Sequence, residues 1–516
     1  MKVHSIRKRF IYSAFANLIR SIISFFTGIL LARWLGADSY GNMAFLLGTF
    51  LAVRQLFDMG SSSAFFTFMS QRAQSKRFVW SFFVWLSLQL FIPFIIIWLL
   101  FPSHWIESIW HREQRGLILL AFIAVFMQHS VWPAVQQACE SQRKTILSQK
   151  LNVIVVISHF VAVVLLWLVG ELGLHALFVA ISLEYMVAAY FAHRKFSYTD
   201  SLELDKNNQP FKTVFSKYLK YCLPLIPYSW ASFSYLFVDR WLLQKYGGPV
   251  EQAYYSVAAL FAGVALLATS SILRIFWKEI AEASEQKDYA RSAELYRKVS
   301  RILFLIGAIV AGFLIPWAED ILSLLLGEEY VGGAVSLMLM FLYPVHQSMG
   351  QIGGVMLLAT ERVSIEVTTG IIFMLLSMVV TYLMLAPNDA IIPGLGMASE
   401  GLAIKMLLMQ FIHANIVAFI IGRIWNWPFD WVYQPVSLLS CVGLGCLAWF
   451  VTTSLIFEDV SFYVEIVVAG VMYLLSIVVL VYCLPWLAGL TRNQLILEVN
   501  VIAGGKLRFT RFKPKA

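Results

Sequence analysis

The sequence predicts an all-α, polytopic integral membrane protein with about fourteen transmembrane helices, and three observations carry that expectation. Of its 516 residues, 59% are hydrophobic and only 13% are charged, against about 25% charged in an ordinary soluble domain. Long apolar runs recur between residues 11 and 484 and leave no room for a separate soluble domain. The lysines and arginines between those runs collect on alternate loops, the pattern of the positive-inside rule.

With ~20 apolar residues per crossing, the spans read as 11–35, 41–67, 78–101, 116–138, 151–169, 173–192, 217–244, 253–276, 301–322, 334–359, 364–385, 395–421, 434–456 and 462–485. Alternating loops put Lys2, Arg7, Lys8 and Arg9, the clusters at Arg72–Arg77 and Arg143–Lys150, and the stretch 194–220 on one side. The stretch 278–301, Arg362, Arg423 and the tail after Arg492 fall on that side too. The other side receives Arg33, Arg112, Arg115 and Lys245, beside acids such as Glu319, Asp320, Glu328 and Glu329. Both termini are therefore expected in the cytoplasm. MKVHSIRKRF precedes an apolar run that is too long for a signal peptide and lacks a small-residue cleavage site, so it is read as leading into a first transmembrane helix. The polar stretch 278–301 reads as an interfacial cytoplasmic helix, and the basic tail as a contact for anionic lipid heads or a solvated terminus.

Several functional classes find no support. The five cysteines are odd in number and form no CxxC, so neither a disulfide framework nor a metal site is expected. There is no GxxxxGK[ST] for ATP and no HExxH. The net charge of +9 is distributed as a topology signal, so nucleic acid is not an expected partner. A polysaccharide polymerase or ligase would need a large outer loop for its acceptor, and the longest outer loop is only about residues 102–115. No cofactor and no enzymatic activity are expected.

An internal repeat organises the chain. ARWLGADSYGNMAF ends span one, and DRWLLQKYGGPVEQAYYSVAAL ends span seven and leads into span eight. Ala138, Glu140 and Arg143 at the exit of span four match Ala359, Glu361 and Arg362 at the exit of span ten. LGLHALFVAI from Leu172 matches LGMASEGLAI from Leu395 without a gap. Two parallel six-helix halves follow, related by an axis along the membrane normal. The expected domains are 1–195, a linker at 196–216, 217–425, two additional helices at 426–485 and a basic cytoplasmic tail at 486–516.

Charges inside the spans point to function, because ionisable groups in hydrocarbon are costly and usually face a bundle interior or a wet cavity. They are Arg20, Arg54, Asp58, Glu184, Asp239, Arg240, Arg274, Glu400 and Lys405. Arg20 and Arg54 are expected roughly midway through the bilayer core. If the first two helices of each half face a common cleft, Arg20, Arg54, Arg240 and Arg274 make it cationic, and the planar guanidinium fork suits pyrophosphate or carboxylate. An anionic ligand is implied. Structural alternatives stand beside this reading. Arg54 and Asp58 are an i,i+4 pair able to satisfy each other, Arg240 and Arg274 could snorkel from helix ends, and Lys405 could pair with Glu400 or couple to protons. Asp58, Glu184, Glu400 and Lys405 are the candidates for ion or proton coupling. His129, His159, His346 and His413 read as packing residues.

NLIRSIISFFTGILLARWLGADSYGNMAF, DMGSSSAFF, YCLPLIPYSWASFSYLFVDRWLL and LGMASEGLAI together resemble the polysaccharide transporter family. Its members are Wzx-type O-antigen and exopolysaccharide flippases of the multidrug/oligosaccharidyl-lipid/polysaccharide exporter superfamily. The resemblance implies a MATE-like fold of two six-helix lobes plus two C-terminal helices, in a bacterial inner membrane. It implies transfer of an undecaprenyl-pyrophosphate-linked oligosaccharide from the cytoplasmic to the periplasmic leaflet. It also implies membrane lipids, a polysaccharide polymerase and a chain-length regulator as partners. A lipid II flippase and an ion-coupled multidrug antiporter of the same superfamily are the alternatives; acids rather than arginines would be expected to dominate an antiporter's cavity.

Overall fold

In hydrocarbon a chain must satisfy its own backbone, and helices are the way a single segment does so. The computed structural model describes residues 6–71, 76–111, 113–142, 144–195, 211–456 and 461–494, and among them there are helices and no strands. In chain order the helices are α1 (Ile6–Asp58), α2 (Ser61–Gln71), α3 (Lys76–Ile95), α4 (Ser103–Ile109), α5 (Arg115–Phe126), α6 (Trp132–Ser141), α7 (Thr145–Val169) and α8 (Leu174–Lys195). There follow α9 (Phe211–Cys222), α10 (Ile226–Glu285), α11 (Tyr289–Leu314), α12 (Ala318–Leu326), α13 (Ala334–Ala359), α14 (Val363–Leu385), α15 (Ala398–Trp425), α16 (Tyr433–Val451) and α17 (Phe462–Cys483). Five-residue π turns extend α3 at Ile96–Leu100, join α5 to α6 at Met127–Val131 and extend α16 at Thr452–Ile456.

Ten of these helical stretches are long and apolar enough to cross a membrane. The polytopic all-α class stands, with ten such stretches among the described residues where the sequence reading expects about fourteen crossings. The stretch Phe15–Asp58 has 44 residues, about 66 Å of helix against a core of ~30 Å. It breaks at Gly36, with φ 76° and ψ 165°, a conformation that essentially only glycine adopts. The 60-residue α10 breaks in the same way at Gly248, with φ 81° and ψ −176°.

Two compact units are present. The first comprises 1–267, 321–337 and 367–406, the second 268–320, 338–366 and 407–516.

In the first unit the broken helices α1 and α10 pack on each other around their breaks. Gly28 lies against Leu260, Gly48 against the Arg240 side chain, and Gly41 against the Pro249 carbonyl. Asn42 accepts from Gln244 at 2.9 Å, and Phe25 meets Phe261 edge-on at 5.1 Å. The shift that carries Gly36 onto Gly248 also carries Gly28 onto Arg240 and Gly48 onto Leu260. The Gly28–Leu260 contact is therefore repeated, with partners exchanged, as Arg240–Gly48. This exchange is what a two-fold relation between parallel repeats produces, and it makes the sequence repeat a structural one.

One expectation about this unit is corrected. The second span is not a continuous helix over 41–67, because α1 stops at Asp58 and α2 starts at Ser61. Met59 (φ 48°) and Gly60 (φ 81°) between them are both left-handed.

In the second unit α11, α16 and α17 pack closely. A Cβ at Gly445 would collide with the Gly312 carbonyl, so these glycines set the α11–α16 distance. From α17, Tyr473 donates to the Ile309 carbonyl at 2.9 Å. Arg301 ties the same group at one end: its Nε donates to Asp430 Oδ2 at 2.8 Å, one terminal nitrogen donates to the Trp486 carbonyl at 2.5 Å, and the guanidinium lies 5.3 Å from the Tyr433 ring. Gly41→Ala and Gly445→Ala should each lower the thermal unfolding temperature of the purified protein by several degrees, measured against Gly443→Ala, where a Cβ meets nothing.

Candidate functional site

The break at Met59–Gly60 is held by the side chain of Asp58. Its carboxylate accepts from the Gly60 N–H at 3.2 Å, the Ser62 N–H at 3.2 Å and the hydroxyls of Ser61 and Ser62 at 3.2 and 2.5 Å. These groups are the donors left unpaired at the start of α2, so Asp58 is the N-terminal cap of that helix. The alternative Arg54–Asp58 pair is not formed. The Ser61 hydroxyl in turn accepts from Trp85 Nε1 at 3.2 Å and Gln89 Nε2 at 3.3 Å, which ties the break to α3.

One turn before the break, Arg54 lines a narrow cleft with Gln89 of α3, Phe122 of α5 and Ser130 of the π turn. Arg54 is half-buried and has no hydrogen bond or ion pair with any described residue; its charge acts on His129, also in the π turn. The next residue back, Gln128, donates to the Tyr185 hydroxyl of α8 at 3.2 Å. Tyr185 feels the charge of Arg20, which is likewise half-buried and unpaired among the described residues. Beside it, Glu184 meets His159 Nδ1 at 2.9 Å. The π turn thus brings Ser130 to the Arg54 cleft and Gln128 to Tyr185 of α8, and π turns of this kind recur at functional sites. Along the helix, at ~1.5 Å per residue, Arg20 lies about 24 Å before Gly36 and Arg54 about 27 Å after it.

A second cluster lies between α10, α14 and α15. Lys405 is fully buried and donates to Asp239 Oδ2 at 2.6 Å. Thr381 donates to Asp239 Oδ1 at 2.7 Å, and the ammonium lies 4.4 Å from the centre of the Tyr235 ring. Lys405 therefore pairs with Asp239 and not with Glu400. Arg240, next to Asp239 in sequence, points elsewhere: it donates to the Ser256 hydroxyl at 2.8 Å, lies 5.2 Å from the Tyr255 ring and packs on Gly48. It takes part in the α1–α10 packing. Glu400 sits in the first turn of α15, whose start is capped by Glu251, acceptor from the Ser399 N–H at 3.1 Å. The Arg274 side chain lies outside the described residues.

Sequence reasoning found the charges and missed what links them. Gln128, Ser130, Tyr185 and Gln89 are polar residues within apolar runs, and that was the available signal. His129 and His159, read as packing residues, adjoin Arg54 and Glu184.

The sequence model of a family described as "Polysaccharide biosynthesis protein" matches residues 6–276, the stretch that holds both arginines, the break and the π turn. The chain belongs to that family. Solved structures with the same fold include one of the lipid II flippase MurJ in an inward closed conformation, at 14% identity with a TM-score of 0.70, covering 92% of this chain and 99% of that one. An inward-facing multidrug resistance MATE family transporter of the MOP superfamily is similar at 13% identity and a TM-score of 0.60, over 79% of this chain and 96% of that one. A MOP superfamily transporter from Pyrococcus furiosus, reported with a binding pocket of reverse polarity, is similar at 15% identity and a TM-score of 0.54, over 80% and 93% of the two chains. A sequence comparison with curated proteins finds no match. This member of the polysaccharide biosynthesis family thus has a MOP-transporter fold.

Removing one partner of the Lys405–Asp239 pair leaves a charge in a dry site, which costs about 3–5 kcal/mol in comparable buried pairs. Lys405→Met alone should lower the unfolding temperature markedly. Lys405→Met with Asp239→Leu should recover most of that loss, as read by thermal unfolding of purified protein.

Proposed function

We propose that this protein is a flippase that moves an undecaprenyl-pyrophosphate-linked oligosaccharide repeat unit from the cytoplasmic to the periplasmic leaflet by alternating access, with its termini in the cytoplasm of a bacterial cell. The observation that carries this reading is the pair Arg20 and Arg54, two half-buried cations within the spans that have no ion pair among the described residues. A cation held in a low-dielectric region without a partner is costly, and the cost is offset when an anion arrives. A pyrophosphate takes two guanidinium forks well. The sugar–pyrophosphate head would otherwise lose its hydration with nothing in exchange, while its hydrocarbon tail can stay in lipid.

On this reading Arg20 and Arg54 bind the head, Arg240 holds the helix pair α1–α10, and Arg274 stays a candidate for binding the head. Lys405–Asp239 and His159–Glu184 are the places where a proton or ion could be exchanged during the cycle, with Glu400 as a third. Asp58 acts as a cap. A polymerase and a chain-length regulator would receive the product on the outer side. Lipid II is the second substrate to test, because a lipid II flippase shares this fold.

In cells lacking their own O-antigen flippase, the wild-type gene should restore surface glycan. Arg20→Ala and Arg54→Ala should each reduce display at least tenfold at unchanged membrane abundance. Normal display by both variants removes the arginines from the mechanism. Rescue only of cells that lack a lipid II flippase transfers the reading to peptidoglycan precursors.

A further inference from the structure

On the other side of the Ser61–Trp85–Gln89 layer from Arg54 lies an apolar groove with about 890 Å³ of empty space. One wall is α3, with Phe82, Trp85 and Leu88; the other is α9, with Phe215 and Leu219. Its mouth is open: Leu88, Phe215 and Leu219 are 42%, 55% and 45% exposed. Its one strongly polar corner is the Asp58–Ser61 break itself. Gln89 belongs to the Arg54 cleft, Ser61 to the groove, and the two side chains are joined at 3.3 Å. A cationic cleft and an apolar groove therefore stand back to back, separated by one hydrogen-bonded layer at the place where the helix is interrupted.

We infer that the groove between α3 and α9 holds the polyprenyl tail of the lipid-linked substrate while Arg54 holds its pyrophosphate, an inference that rests on the function proposed above. The argument is one of adjacency and chemistry. A head bound at Arg54 has a tail that must leave toward lipid, and this groove is the apolar surface on the far side of the Ser61–Trp85–Gln89 layer. Rings and branched aliphatic side chains line it, and burial of hydrocarbon there is favourable at ~25 cal/mol per Å². The groove opens beside α9, which carries Lys212, Lys217 and Lys220, so an anionic lipid is drawn to the same surface.

The test uses the full-length protein in nanodiscs with undecaprenyl pyrophosphate and, separately, inorganic pyrophosphate as probes. Val84→Trp and Leu219→Trp fill the groove, and Val479→Trp on the exposed face of α17 is the control. Both groove variants should weaken undecaprenyl pyrophosphate at least tenfold and leave inorganic pyrophosphate unchanged, with the control like wild type. In wild-type protein, a tail-diazirine analogue should label peptides containing residues 81–88 or 215–222. If wild type binds the lipid but the groove variants bind it equally and labelling falls elsewhere, the groove inference fails and the flippase reading stands. Displacement of the label by equimolar dioleoylphosphatidylglycerol makes the groove an ordinary phospholipid site and also overturns the inference. If wild type does not bind undecaprenyl pyrophosphate, the proposed function falls and the groove inference with it.

Discussion

Every interruption of a helix inside hydrocarbon exposes backbone donors that water cannot reach, and the fold depends on how those donors are met. Three carboxylates do it in the first unit. Asp58 caps the start of α2 after the Met59–Gly60 break. Glu329 accepts from the Ala37 N–H just after the Gly36 break, at 3.2 Å, and Glu251 accepts from Ser399 at the start of α15. Asp58, a candidate for ion coupling in the bare sequence, is thus first of all a helix cap.

Much of the scaffold was legible. Apolar runs and loop charges gave the polytopic class, and the matched Arg-Trp…Gly segments led to the paired breaks at Gly36 and Gly248. The discontinuity after Asp58 was missed because the apolar residues on either side of DMGSSSAFF read as one run, although its Asp, Gly and Ser residues carry the cap chemistry that the left-handed Met59 and Gly60 use. Arg20 and Arg54 were read as unpaired and as partly pairable, and the structure leaves both without an ion pair among the described residues. The partner of Lys405 could not have been found locally. Asp239 is 166 residues away, and sequence spacing reports only neighbours on the same helix.

The repeat extends to the backbone and not to the chemistry. The shift that superposes the two glycine breaks carries Asp239 onto Thr27, Arg20 onto Ser232 and Arg54 onto Leu266. One half holds two lone cations and a histidine–glutamate pair; the other holds a closed lysine–aspartate pair. A symmetric pair of helices therefore carries an asymmetric charge distribution.

The π turn at Met127–Val131 has a consequence for the whole span that contains it. A residue in an α-helix turns the face by about 100°, so one residue accommodated as a bulge resets the phase of everything after it. Phe126 before the bulge and Ala134 and Ala138 after it pack in one cluster with α2 and α3, and Trp132 reaches Asn152 of α7. The bulge places Gln128, His129 and Ser130 between these packed segments. In this protein the polar site is also the place where the helix changes its angular register, so the sequence there is constrained in length as strictly as in composition.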